Sequence, residues 1–318
     1  MAIRFLVEDH YRQVRGDASY WRPLVEEALQ QNQISIEPMV PIEQDGTNAN
    51  FWYGTDKVLK VYTPFFGGRE SRGMEVAALK NLAQQGGLPV PKVLAKGELE
   101  PLEREWKWPW ALFERLPGRT LASIWPGLTQ GERHDYAFQV GTLLRRIHKA
   151  VPNSELSQTF QSVWPKGFAE FLTRQHQVVS SKSELAVIPI YDESLRLSPT
   201  GLVSGWPALL HGDLDGSHIL VQDGKVGGII DFGDAKLGDP LYDFVSIHHD
   251  LFQLDRALLG EFLKGYGMKP SEEPRFRDRL MTYTILHEWG FADRLTRWAT
   301  HSGGTTLGDL ALWMWGTE

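Results

Sequence analysis

Cysteine is absent from the 318 residues, so no disulfide, thiolate metal centre or thiol nucleophile can form. That composition is compatible with a reducing cytoplasm. Long apolar runs are lacking too. The opening "MAIRFLVEDHYRQVRGD" meets acidic residues too early to build the apolar core of a secretion signal, and no later stretch stays apolar long enough to span a bilayer. The expectation is a soluble, cytoplasmic protein. Basic charge is in deficit, with 33 Lys and Arg against 40 Asp and Glu and a formal net charge of -7. Nucleic acids and anionic membranes both require an extended basic surface and are not expected partners. Internal repeats, low-complexity tracts and the phosphate-loop signature G-x-x-x-x-G-K-[ST] are missing. "HEW" at 287–289 has Phe291 where a zinc-protease helix would carry its second histidine. The adjoining His248, His249 and Asp250 diverge around a helix and read as packing or solvated face rather than a metal cage.

What remains is an ordinary globular composition, 42% hydrophobic and 23% charged, in a chain long enough for two lobes. The front is rich in strand signals: "ISIEPMVPI" is extended, and "ANFWYGT" and "KVLKVY" are strands joined by a Gly-Thr-Asp turn. "SRGMEVAALKNLAQQGG" is a helix with Val76, Leu79 and Ala83 on one face and Gly86-Gly87 as its stop. "LPVPKVLAKGEL" and "WPWALFERLPG" add extended segments. After "LPGRT" helices take over, most clearly in "ERHDYAFQVGTLLRRIHKA", again in "FAEFLTRQHQVV" and from about residue 240 onward, with a loop over "SSKSE". This order implies an α+β fold of two lobes, 1–116 and 117–318, rather than a repeating βαβ sheet.

The stretch "HGDLDGSHILVQDGKVGGIIDF", residues 211 to 232, carries the chemistry. Asp223-Gly224 between two short apolar runs is a hairpin signal, because both residues tolerate the positive φ of a tight turn. Asp213 and Asp231 flank that hairpin. Two such carboxylates suit a general base with a metal ligand, a glycosidase pair, or turn and cap residues.

The order "HGDLDGSH" then "DFG" resembles the kinase pattern H-R-D-L-x-x-x-N followed by D-F-G. With the Gly after the His and the continuation "DFGDAKLGDPLYDF", the sequence is similar to the aminoglycoside phosphotransferase family, a small-molecule branch of the protein-kinase-like fold. The resemblance runs from about Gly46 to Asp243. It implies a β-rich N-lobe, a mainly helical C-lobe, and Asp213 as the catalytic aspartate acting on a substrate hydroxyl. Asp231 becomes the principal Mg²⁺ ligand, since a hard cation wants carboxylate oxygen. Lys60, in "VLKVY", is the lysine that reaches the nucleotide phosphates, held by Glu75, with Glu70 a rival in the same helix. Thr47 and Asn48, in "DGTNANFW", occupy the phosphate-loop position, although a plain hairpin turn accounts for them equally well. Backbone groups from Glu114 to Leu116, in "ALFERLPG", take the hinge position that binds adenine. His211 serves the loop's structure, and Asp239 and Asp243 are architectural.

One residue departs from the pattern. His218 stands where the family places an asparagine that ligates a second metal ion. Neutral imidazole can ligate a divalent ion but suits Mn²⁺ better than Mg²⁺; the alternative is a histidine that only hydrogen-bonds the loop. The resemblance therefore implies an ATP- or GTP-dependent phosphotransferase using Mg²⁺ or Mn²⁺, with a small-molecule hydroxyl as acceptor. A catalytically weak nucleotide-binding protein of the same fold is the alternative that His218 motivates. A protein kinase is disfavoured, because "GDPLYDF" replaces the usual activation segment. From Asp231 onward there are 14 acidic and 9 basic residues, a balance that suits a cationic acceptor such as an aminoglycoside or amino-alcohol.

Overall fold

A computed structural model describes residues 8–42, 46–99, 107–163, 167–181, 207–303 and 306–316. Most of the loop expected over "SSKSE" lies outside them. The chain divides into two units, one of Met1–Pro117 with Gly228–Asp234, the other of Gly118–Gly227 with Ala235–Glu318.

The first unit is built on an antiparallel sheet of β1 (Met39–Pro41), β2 (Ala49–Tyr53), β3 (Lys57–Val61), β4 (Val93–Leu99) and β5 (Trp108–Glu114), in the order β1-β2-β3-β5-β4. Strand periodicity decides which side chains go inside. Ala49, Phe51 and Tyr53 alternate inward along β2, and Phe51 pairs with Leu59 while Lys60 pairs with Ala111. Helix α3 (Gly68–Gln84) follows β3, as the sequence periodicity indicates.

Two helices precede the sheet that were not expected: α1 (Glu8–Val14) and α2 (Ala18–Gln31). Their signal was available. Asp17 caps α2 by accepting from the Ser19 and Tyr20 amides at 2.9 and 3.4 Å, and Trp21, Val25, Ala28 and Leu29 recur at helical spacing and are buried. Tyr11 and Trp21 pack on Trp108 of the sheet with ring centroids 5.6 and 5.2 Å apart, an aromatic core that no local rule pairs.

The second unit is mainly helical. It holds α4 (Leu121–Ile124), α5 (Gln130–His148), α6 (Ser154–Val163), α7 (Phe168–Ser180), α8 (Leu241–Ser246), α9 (Arg256–Tyr266), α10 (Phe276–Leu286), α11 (Leu295–Ser302) and α12 (Leu307–Trp315). A π-helical turn, Ile247–Leu251, extends α8. Short strands β6 (Arg119–Thr120), β7 (Ala208–Leu210), β8 (Ile219–Gln222), β9 (Lys225–Ile229) and β10 (Lys236–Gly238) complete the elements, with β6 beside β8, β8 beside β9, and β7 beside β10. The β8–β9 turn is Asp223-Gly224, both at positive φ (51° and 76°), as the dipeptide implied. None of the described helices is long and apolar enough to cross a membrane.

Helices α5 and α9 meet backbone to backbone. A Cβ added at Gly141 would lie 2.1 Å from the Phe262 carbonyl oxygen, and one at Gly265 would lie 1.9 Å from that of Phe138. Backbone cannot yield as a flexible side chain can. Gly141→Ala should therefore destabilise the protein by about 2–3 kcal/mol despite alanine's better helix propensity; an unchanged denaturation midpoint would contradict the packing.

Three buried histidines also couple this core to pH. Burial, the largest influence on each, lowers the pKa of His248 to about 4 and those of His249 and His287 well below the ordinary value. They fold neutral. Their contribution is present above the unfolded pKa of about 6.5 and is lost as pH falls toward the folded values, because the unfolded chain binds the extra protons. Unfolding free energy should drop between pH 6.5 and 4, by up to about 1.4 kcal/mol per pH unit per histidine. Urea titrations of the wild type and His248→Gln at pH 7, 6 and 5 measure it, and the variant should show the shallower decline.

Candidate active site

In the first unit, Lys60 is 5% exposed. A buried ammonium is tolerated only beside negative charge. Its Nζ donates to Asp231 Oδ1 at 2.7 Å and to Glu75 Oε2 at 3.0 Å, and the Tyr62 hydroxyl donates to the same Glu75 oxygen at 2.6 Å. Burial alone would push the Lys60 pKa down, but the Asp231 and Glu75 carboxylates carry it above the usual lysine value. Glu75 bears the cost: its own burial, with the like charge of Asp231, holds its pKa above the ordinary carboxylate value. The choice between the two glutamates is thereby made. Glu75 is buried on the sheet side of α3, whereas Glu70 is exposed in its first turn.

Asp231 sits at φ 63°, a left-handed conformation that a short polar side chain tolerates better than most, and its Oδ1 also accepts from the Gly233 amide at 3.4 Å. Asn48 and Thr47 stand just before and beside β2. The Asn48 side-chain oxygen accepts from the Thr63 amide at 3.1 Å, and the Thr47 carbonyl accepts from the Tyr11 hydroxyl at 2.6 Å. Both contacts brace the turn. Glu114 ends β5, with its carboxylate 3.2 Å from Lys92 on the exposed side, and Leu116 is half-buried against Gly228.

The second unit holds Asp213 and His218 on the loop between β7 and β8. The Asp243 carboxylate braces that loop. Asp243 Oδ2 and Oδ1 accept from the His211 and Gly212 amides at 2.7 and 2.9 Å, and His148 Nε2 lies 3.0 Å from Oδ2. Burial would raise the Asp243 pKa, but the His148 hydrogen bond, with the neighbouring His211 and its amide, brings it below the usual value. His211 Nδ1 accepts from the Asp213 amide at 3.3 Å, consistent with the structural role expected of it. Asp239 accepts from Arg279 Nε at 3.1 Å, from the Tyr283 hydroxyl at 2.6 Å and from the Leu241 amide at 3.1 Å, so it ties α8 to α10.

His218 Nδ1 lies 2.7 Å from the Asp213 carbonyl oxygen. Since a carbonyl only accepts, this nitrogen carries a proton. Asp213, Asp215 and His218 form a group whose ligating atoms lie within 4.8 Å of one another. The supporting residues Tyr62, His148, Arg279 and Tyr283 were not picked out from the sequence. The signal for His148 is its place at the end of the inward stripe Val140, Leu144, Ile147 of α5; for Arg279 and Tyr283 it is their spacing of four on α10.

Residues 39–279 match the model of the phosphotransferase enzyme family. The chain belongs to that family. The solved "GDP complex of wild-type aminoglycoside 2'-phosphotransferase-IIIa" superposes with a TM-score of 0.64 at 17% identity, covering 94% of this chain and 98% of that one, so the fold is protein-kinase-like. Other matched structures are an ADP-bound phosphotransferase and complexes with ATP and streptomycin, with kanamycin or with gentamicin. Among curated proteins, the chain is 27% identical over 146 residues to a homoserine kinase of Neisseria meningitidis serogroup B, covering 43% of this chain and 45% of that protein. It is 25% identical over 242 residues to the lysine-specific demethylase JMJ21 of Arabidopsis thaliana, covering 57% of this chain and 26% of that protein. The matches thus span between about a quarter and a half of the curated relatives' length.

The buried ion pair gives a direct test. Glu75→Ala leaves Lys60 with one carboxylate and the Tyr62 hydroxyl with none, and should cost about 3 kcal/mol. Glu70→Ala should stay within about 0.5 kcal/mol of wild type. Equal denaturation midpoints for the two variants would overturn the assignment.

Proposed function

We propose that this phosphotransferase is a small-molecule kinase that moves the γ-phosphoryl group of ATP or GTP to a hydroxyl. The observation that carries the reading is the buried Lys60 ammonium gripped by Glu75 and Asp231, an arrangement that is costly as scaffolding and useful as a fixed cation. Family membership and the protein-kinase-like fold support it. Complexes of the structural neighbours with GDP, ADP and ATP support a nucleotide, and those with kanamycin, streptomycin and gentamicin support a small-molecule acceptor.

In this reading Lys60 neutralises nucleotide phosphate charge and Glu75 fixes its position. Thr47 and Asn48 border the phosphates, and backbone groups from Glu114 to Leu116 take the adenine. The acceptor oxygen bonds to the γ-phosphorus as the bond from that phosphorus to the β–γ bridging oxygen breaks, leaving the nucleoside diphosphate. Asp213 orients the acceptor hydroxyl and takes its proton. The brace from Asp243 to the amides of His211 and Gly212 holds Asp213 in position for that task.

The residues present fit a divalent cation. Asp231 carries the hard carboxylate oxygen such an ion takes, on a side chain 34% exposed, and His218 is of a residue type that suits Mn²⁺ when its ring is neutral. Such an ion, when bound, supplies further neutralisation of phosphate charge. Membership of a phosphotransferase family and the likeness to aminoglycoside phosphotransferases do not favour a nucleotide-binding protein without catalysis.

A screen of hydroxyl-bearing small molecules for nucleotide consumption, with phosphorylated product confirmed by mass, tests the function. Asp213→Asn should lower turnover at least about 100-fold while preserving thermal stabilisation by nucleotide and Mg²⁺. Lys60→Ala should lose that stabilisation. His218→Asn should shift the activity ratio from Mn²⁺ toward Mg²⁺. Turnover that survives both Asp213→Asn and Lys60→Ala would remove this site from the reaction.

A further inference from the structure

The sheet of the first unit has two unlike faces. On one, Ala49, Phe51, Tyr53, Leu59 and Val61 are no more than 1% exposed and belong to the core shared with α1 and α2. Strand alternation turns their neighbours to the other face. There Asn50 is in register with Lys60 and Lys60 with Ala111; two residues further along, Trp52 is in register with Val58 and Val58 with Phe113. Glu75 and Asp231 close this face over the Lys60 ammonium. Beside them Asn50, Trp52 and Val58 are left half-buried.

A half-buried tryptophan is ordinary in itself. What sets Trp52 apart is how its ring is held. The Arg115 guanidinium lies 4.0 Å from the centroid of the indole. Arg115 follows β5 and is exposed; its amide donates to the Asp56 carbonyl at 2.8 Å and its Nη1 to the Thr55 carbonyl at 3.4 Å. Thr55 and Asp56 belong to the turn between β2 and β3, the end of these strands away from Lys60. Arg115 therefore covers the indole from the turn side, and the face toward Lys60 is left for another partner. Among the described residues no second ring meets Trp52. A cation held over an aromatic ring fixes the plane of that ring, and a flat surface fixed in advance binds a flat partner at lower entropic cost.

The spacing also suits a nucleotide. Trp52 lies two residues along β2 from the residue paired with Lys60, about 7 Å at the rise of a strand. A ribose spans about that separation between a base and its first phosphate. All of these residues belong to the first unit.

We propose that Trp52, steadied by Arg115, is the platform on which the base of the nucleotide stacks, while the backbone from Glu114 to Leu116 meets the edge of the same base. The proposal rests on the kinase reading for the word nucleotide. It adds a residue that the motifs leave out: "VLKVY" and "DGTNANFW" point to Lys60, Thr47 and Asn48, and the register of β2 against β3 brings the last residue of the second motif onto the face of Lys60.

Binding is read separately from turnover. The full chain, with Mg²⁺ at fixed ionic strength, is titrated calorimetrically with ATP, with GTP and with inorganic tripolyphosphate, which carries the phosphates without a base. Trp52→Val removes the ring but keeps a good strand former. It should weaken ATP and GTP at least about 10-fold, the scale of base stacking on an aromatic side chain, and leave tripolyphosphate unchanged. Trp52→Phe keeps a π-face and should retain most of the affinity. Tryptophan emission gives a second readout: ATP should quench the wild type more than tripolyphosphate does, and the difference should vanish in Trp52→Phe, which keeps the test decisive should the valine variant fail to fold. Undiminished nucleotide affinity in Trp52→Val, an equal loss for tripolyphosphate, or a quenching difference that survives in Trp52→Phe overturns the proposal. Nucleotide binding and turnover indifferent to Trp52 would leave the kinase reading standing and remove this one. Nucleotide binding that depends on Trp52 in a chain that phosphorylates no acceptor screened would support the platform and remove the kinase reading instead.

Discussion

The ammonium of Lys60 is the constraint around which the first unit is arranged. A charge buried that deeply needs counter-charge within hydrogen-bonding distance. It receives two carboxylates from remote parts of the chain, Glu75 on α3 and Asp231 from the segment 228–234. Satisfying both fixes the helix against the sheet and draws Gly228–Asp234 into the same unit. The Ile229 amide bonding to the Pro89 carbonyl at 3.0 Å, and Gly228 lying against Leu116, follow from that return of the chain.

In the second unit, Asp243 and Asp239 tie remote segments together. Asp243 spends its oxygens on two backbone amides and a histidine, and Asp239 spends its own on an arginine, a tyrosine and a helix amide. Acids so thoroughly hydrogen-bonded are scaffolding, whereas Asp213 and Asp215 on the loop between β7 and β8 keep side chains 28% and 32% exposed.

Much of the architecture was legible. The Asp223-Gly224 hairpin, the strands around "ANFWYGT" and "KVLKVY", and the helices over 68–84 and 130–148 depend on near neighbours, and the structure has them where local pattern indicates. The helix at Ala18–Gln31 was legible and overlooked: its cap and its stripe of Trp21, Val25, Ala28 and Leu29 are ordinary signals, masked by Pro23 within the helix.

The sequence by itself determined the family, through the order of separated motifs from "VLKVY" to "GDPLYDF", because spacing along a chain is a property of the chain. It could not choose between Glu70 and Glu75, since both lie on one helix and only packing against β3 decides which turns inward. Nor could it say which nitrogen of His218 donates. That is set by the Asp213 carbonyl, a group brought near by the backbone of the loop. The tertiary structure decided these points because burial and hydrogen bonding are relations between residues distant in sequence, and the charge each group carries follows from the neighbours it meets.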